Sequence, residues 1–177
     1  MNIEEYKKAV IKQFNSYKAV ADKTINQLEE KDLFWKYNEE SNSIAIIIHH
    51  IYGNMLSRWT DFFTSDGEKE WRNREKEFSK VDTTKEELMQ NWEKGWKCLF
   101  DAIDSINDEN INADIYIRNE KHSVVDALSR QMMHYPYHIG QITFIGKMIL
   151  DDKWESTSIP KGKSEEYNKE MFSKKRS

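Results

Sequence analysis

The chain has 177 residues, a length that favours one domain at roughly 150 residues each. Its 6 Gly and 2 Pro fall far below the usual combined share of about 12%, which argues against a many-turned β-sandwich, a collagen-like repeat or a flexible linker protein. A third of the residues are charged, yet 8 Phe, 8 Tyr and 6 Trp demand a core, and a net charge of −4 provides no basic footprint for nucleic acid or an anionic membrane surface.

From the N-terminus, Asn2 and Glu5 have capping-box spacing, and Ile3, Tyr6, Val10, Phe14, Tyr17, Ala21 and Leu28 recur at helical intervals. One amphipathic helix is predicted to about Glu30. After a polar loop, Asn42 or Ser43 can cap a second helix from Ile44 to about Phe63, whose stripe contains Ile47, Ile48, Ile51, Met55 and Trp59. Thr64 to Val81 is charged and reads as a partly structured crossover, with Trp71 and Phe78 as exposed aromatics that suggest an interface. Thr84 and Glu87 then cap a third stripe through Leu88, Trp92, Trp96, Leu99, Ile103 and Ile106.

Between Asn107 and His122 the period changes, and Ile115–Ile117 beside Asn119–Lys121 reads as a short extended or hairpin element. Ser123 and Asp126 open a fourth helix with Leu128, Gln131, Tyr135, Ile139, Ile142, Ile145 and Ile149 on one face. Residues 153–177 form a polar C-terminal extension, in which Ser164 is read as the cap of a last short helix. The fold class is therefore all-α: a four-helix bundle in one domain spanning residues 1–177. The longest unbroken apolar run, Ile44–Ile48, is far short of the ~20 residues that span a bilayer. No export segment is evident at the acidic start, and the single cysteine, Cys98, fits a reducing cytoplasm.

The histidines carry the chemistry. His134 and His138 lie one turn apart on one helical face, where two imidazoles can converge on a divalent ion at about 2.1 Å. Such pairs also occur in helices that bind nothing. A third ligand could come from His49-His50, which interrupts an apolar turn where an imidazole needs partners for its nitrogens. Spacing does not choose between these two. Pro136 falls between the paired histidines, either as a kink that alters their splay or as a tolerated irregularity. His50, Asn54, Arg58 and Asp61 form a polar edge; it reads first as a solvated helix flank, with Asn54 and Arg58 as candidates to support a ligand histidine. Cys98, Trp59, Trp92 and Trp96 read as core.

Three stretches resemble the DinB/YfiT-like superfamily of metal-binding helical bundles. They are Asn42–Ala45 with His50–Met55; Arg58–Phe62 through Asp66–Lys69 to Trp71–Arg74; and Arg130-Gln131 to His134 with His138–Ile142. Ser158–Gly162 resembles an uncharacterised branch of that superfamily. The resemblance implies an up-down bundle, a homodimer, and one divalent ion, nickel or zinc. It assigns the ligands to His50, His134 and His138, and thereby selects His50 over His49. It departs from the family pattern at His49, where relatives more often carry charge, and at Pro136.

Some members of the superfamily are thiol S-transferases that use a low-molecular-weight thiol. The leading expectation is a metal-dependent transferase acting on small electrophiles in detoxification or stress. The alternatives are a metal-dependent hydrolase, and a non-enzymatic metal-binding or structural dimer.

Overall fold

A computed structural model describes residues 2–79 and 81–174. Four long helices follow from the four apolar stripes: α1 (Ile3–Asn26), α3 (Ile44–Trp59), α5 (Lys85–Asp104) and α6 (Val124–Leu150). Short helices α2 (Glu30–Leu33) and α4 (Arg74–Glu77) lie in the first two connections. A hairpin of β1 (Asp114–Ile117) and β2 (Glu120–Ser123) precedes α6, and α7 (Ser164–Ser173) follows it. The long helices bury one stripe each: α3 lies most extensively against α5 and α1 against α6, while α3–α6 and α1–α5 contacts close the bundle. At its centre, Trp96 meets Phe14, Trp92 and Tyr135 at ring-centroid distances of 5.4–6.0 Å.

The caps explain where helices begin. Ser43 Oγ accepts the Ile46 amide at 3.2 Å, Ser123 Oγ accepts that of Asp126 at 3.1 Å, and Thr84 and Glu87 form the reciprocal capping box. Asn2 accepts the Glu5 amide at 3.2 Å.

Several boundaries differ from the sequence reading. The first helix stops at Asn26 instead of Glu30, because Asp32 Oδ2 captures the Glu29 amide at 2.9 Å and starts a separate turn that keeps Leu28 and Leu33 buried. The second stops at Trp59 instead of Phe63. Thr60 is extended and Asp61 adopts a left-handed φ of 49°, yet Phe62 folds back onto Trp59 with ring centroids 4.9 Å apart. Ser164 is the first helical residue of α7, whose cap is Lys163 without a side-chain bond. Pro136 sits inside α6 without ending it.

The crossover and hairpin stabilise one another. Arg118 and Asn119 form a tight turn with φ of 56° and 62°, a backbone region that L-residues other than Asn and Asp seldom occupy. Asp66, from the crossover, accepts both their amides at 2.8 and 2.7 Å, which offsets that strain. The Gly67 amide also donates to the Tyr116 carbonyl at 2.7 Å. The crossover around Asp66 and Gly67 is thus tied to the hairpin. Among the described residues, no helix is long and apolar enough to cross a membrane.

Candidate metal centre

α3 contributes His50, and α6 contributes His134 and His138 from successive turns of one face. His50 and His138 are buried, 4% and 9% exposed, and His134 is half-buried. Their Nε2 atoms converge: His134 Nε2 is 3.3 Å from that of His50 and 3.2 Å from that of His138. One ligand atom from each residue lies within 4.8 Å of the other two.

The second nitrogen of each ring is spoken for. His50 Nδ1 lies 2.8 Å from Glu77 Oε2, His134 Nδ1 3.2 Å from Gln131 Oε1, and His138 Nδ1 2.7 Å from Gln141 Oε1. These oxygens only accept, so each Nδ1 carries the proton and each Nε2 presents a bare lone pair. Three lone pairs facing one another at this range repel. A cation between them removes that conflict, and imidazole nitrogen is a preferred donor for zinc and nickel. The donor set therefore fits a divalent ion.

Electrostatics keep the rings in the ligand form. Burial, followed by the neighbouring His138 and His50 and the cations of Arg58 and Arg72, pushes the His134 pKa down to about 3. Burial likewise lowers that of His138. Both rings are neutral at physiological pH, as ligation requires.

The partner of His50 comes from an unexpected place. Glu77, at the end of α4, is 5% exposed. Arg72 grips it from the other side, with Nε 2.7 Å from Oε1 and Nη2 2.9 Å from Oε2. Burial alone would raise the Glu77 pKa, but the bonds from His50 and Arg72 outweigh it and hold the group ionised. Space for this carboxylate exists because residue 53 is glycine: a Cβ there would stand 2.4 Å from Glu77 Oε1. Phe78 covers the His50 ring at a centroid distance of 4.6 Å.

Two expectations are corrected here. The row His50, Asn54 and Arg58 is buried, not a solvated flank, because α4 and the crossover cover it; Asp61 alone is exposed. Phe78 is half-buried, packed on His50, so only Trp71 of the two crossover aromatics is exposed. Asn54 and Arg58 line the cavity above the cluster but do not bond the histidines. Asn54 Oδ1 accepts from the Tyr135 hydroxyl at 3.1 Å, which itself accepts the Trp59 indole N–H at 2.9 Å. Arg58 donates to the Gly67 carbonyl and, at 3.2 Å, to Glu68. The groups that do orient the rings are Glu77, Gln131 and Gln141. The two glutamines stand three residues from their histidines, a legible spacing, although Gln131 reads as part of the apolar stripe. Glu77, 27 residues from His50, carries no local signal.

His49 and His122 lie outside the cluster. His122 pairs with Asp126 across the start of α6. Cys98 is half-buried beside Thr60, and burial pushes its thiol pKa up, away from activation.

Fold and site together define a helical bundle with three convergent imidazoles between the middle portions of α3 and α6. A family model described as "Protein of unknown function (DUF1572)" matches residues 2–163, and the chain belongs to that family. No curated protein matches it.

Proposed function

We propose that this protein is a divalent-metal-binding member of the DinB/YfiT-like superfamily, with His50, His134 and His138 as the ligands of one nickel or zinc ion, and that it acts as a metal-dependent thiol S-transferase on small electrophiles. The observation that carries the reading is the set of three Nε2 lone pairs turned inward while each Nδ1 is bonded outward. An ion held by three neutral imidazoles keeps open positions, and the chemistry it supplies is activation of a thiol or a water as nucleophile. The chain's own contribution is orientation and enclosure. Glu77, clamped by Arg72, fixes the tautomer and direction of His50, and Phe78 shields that ring from water. A cavity of about 470 Å³, bordered by Met133 and Tyr137, leads to the cluster and leaves room for a small substrate.

Elemental analysis of untagged protein is expected to find one divalent ion per chain. Calorimetric titration should show that His50→Ala, His134→Ala and His138→Ala each lose far more affinity than the 10–100-fold typical of a lost outer partner. His49→Ala and His122→Ala should bind as the parent does. Loss of binding in His49→Ala with retention in His50→Ala would overturn the ligand assignment. Metal-loaded protein incubated with monochlorobimane and a panel of small thiols should form a conjugate. A loaded protein that conjugates none of them leaves hydrolysis or a non-enzymatic role in place of transfer. The homodimer is proposed alongside, and sedimentation that returns only a 21.2 kDa species would remove it.

A further inference from the structure

We infer that the cavity over the histidine cluster selects a small molecule bearing an oxyanion group, a carboxylate or a phosphate; this rests on the proposed function in taking that cavity as the substrate site. Five arginines line it: Arg58, Arg72, Arg74, Arg118 and Arg130. Among the described residues, no aspartate or glutamate does. The contrast with the whole chain, which has 31 acidic against 27 basic residues, marks this wall as a local inversion of charge.

Neutralisation from behind the wall is incomplete. One oxygen, Glu68 Oε2, serves Arg58 at 3.2 Å, Arg72 at 3.3 Å and Arg118 at 3.2 Å, and Glu77 pairs with Arg72 as well. Arg58 is 7% exposed, and its Nε–H is buried with no partner among the described residues, so a fixed donor is left over deep in the wall. At the rim, Arg74 lies over the Phe78 ring at 5.0 Å and among the described residues pairs only with Glu75, at 3.7 Å. Arg130 forms no hydrogen bond or ion pair among the described residues. Guanidinium groups match carboxylate and phosphate oxygens in forked pairs, and excess positive potential in a walled cavity concentrates anions. A cation at the histidines would add to the same field. The substrate pictured by this wall has its reacting atom toward the histidines and its oxyanion toward Arg74 and Arg130.

Calorimetry with mercaptosuccinate and the uncharged thiol 2-mercaptoethanol tests the inference, on zinc-loaded and on metal-free protein. The arginines, not the ion, create the preference, so mercaptosuccinate should bind at least about tenfold tighter in both forms. Arg74→Ala/Arg130→Ala removes two rim side chains outside the buried ion pairs. It should abolish that preference while leaving 2-mercaptoethanol binding and zinc content unchanged. Succinate and inorganic phosphate as competitors distinguish a carboxylate from a phosphate as the favoured group. Equal binding of the two thiols, or a preference untouched by the double variant, would overturn the inference even with zinc bound. Failure to bind either zinc or nickel would instead overturn the proposed function, absence of any thiol conjugate would remove its transferase part, and the metal-free titration would still read the arginine wall.

Discussion

The two sides of α3 are equally buried and are held in opposite ways. One side presents Ile47, Ile51 and Met55 to the core, and Gly95 of α5 lets Met55 approach closely. The other presents His50, Asn54 and Arg58, each less than 8% exposed. The apolar side needs only complementary volume, since every methylene removed from water contributes about 0.8 kcal/mol wherever it lands. The polar side needs named partners. It finds them on three separate segments: Glu77 of α4, Tyr135 of α6, and Gly67 with Glu68 of the crossover. Burial of polar groups is tolerated only where such donors and acceptors arrive, so the order of this side depends on distant pieces of chain. That dependence is also what leaves space for a ligand there.

Substitutions can break the two sides separately. The largest effect is expected in the apolar half. Trp96 is 1% exposed and in aromatic contact on several sides, so Trp96→Ala should cost about 3–5 kcal/mol in urea unfolding. On the polar side, Glu77→Ala should weaken metal binding by about 10–100-fold without removing a ligand. Gly53→Ala sharpens the contrast. Within a helix the change is favourable by about 0.8–1 kcal/mol on propensity alone, but the new Cβ would meet Glu77 Oε1 at 2.4 Å. Displacing Glu77 should reproduce the metal defect of Glu77→Ala, whereas a parent-like affinity would show that Glu77 does not govern His50.

A pH series separates the sides again, at smaller amplitude. His134 has a folded pKa of about 3 against 6.5 unfolded, and that of His138 is also lowered. Above pH 6.5 both rings are neutral in either state and their contribution to stability is complete. As pH falls toward 3, the unfolded chain takes up protons that the folded chain refuses, so stability is lost across that window. Urea midpoints of metal-free protein should therefore fall between pH 7.5 and 5.5, and His134→Gln should flatten the decline. A parent decline that is unchanged in His134→Gln would place its origin elsewhere. The smallest effect concerns the start of α3, where Ser43→Ala removes a buried cap worth about 1 kcal/mol. Thermal unfolding should register it, with metal affinity preserved.

The one-dimensional pattern determined the four long helices, the caps at Thr84 and Ser123, a cap at Asn42 or Ser43, and a short extended or hairpin element before α6. Each of these depends on residues within a few positions of one another, so spacing carries the information. The pairing of His134 with His138 is local in the same sense, and His50 followed from resemblance to a family motif. Only the tertiary structure decided the rest. Glu77 reaches His50 because the crossover folds α4 against α3, Asp66 secures the hairpin turn, and Glu68 gathers three arginines around one oxygen. Nor could a sequence pattern show that His50, Asn54 and Arg58 lie under cover: an amphipathic edge looks alike whether water or a distant acceptor satisfies it, and long-range closure of the chain makes that choice.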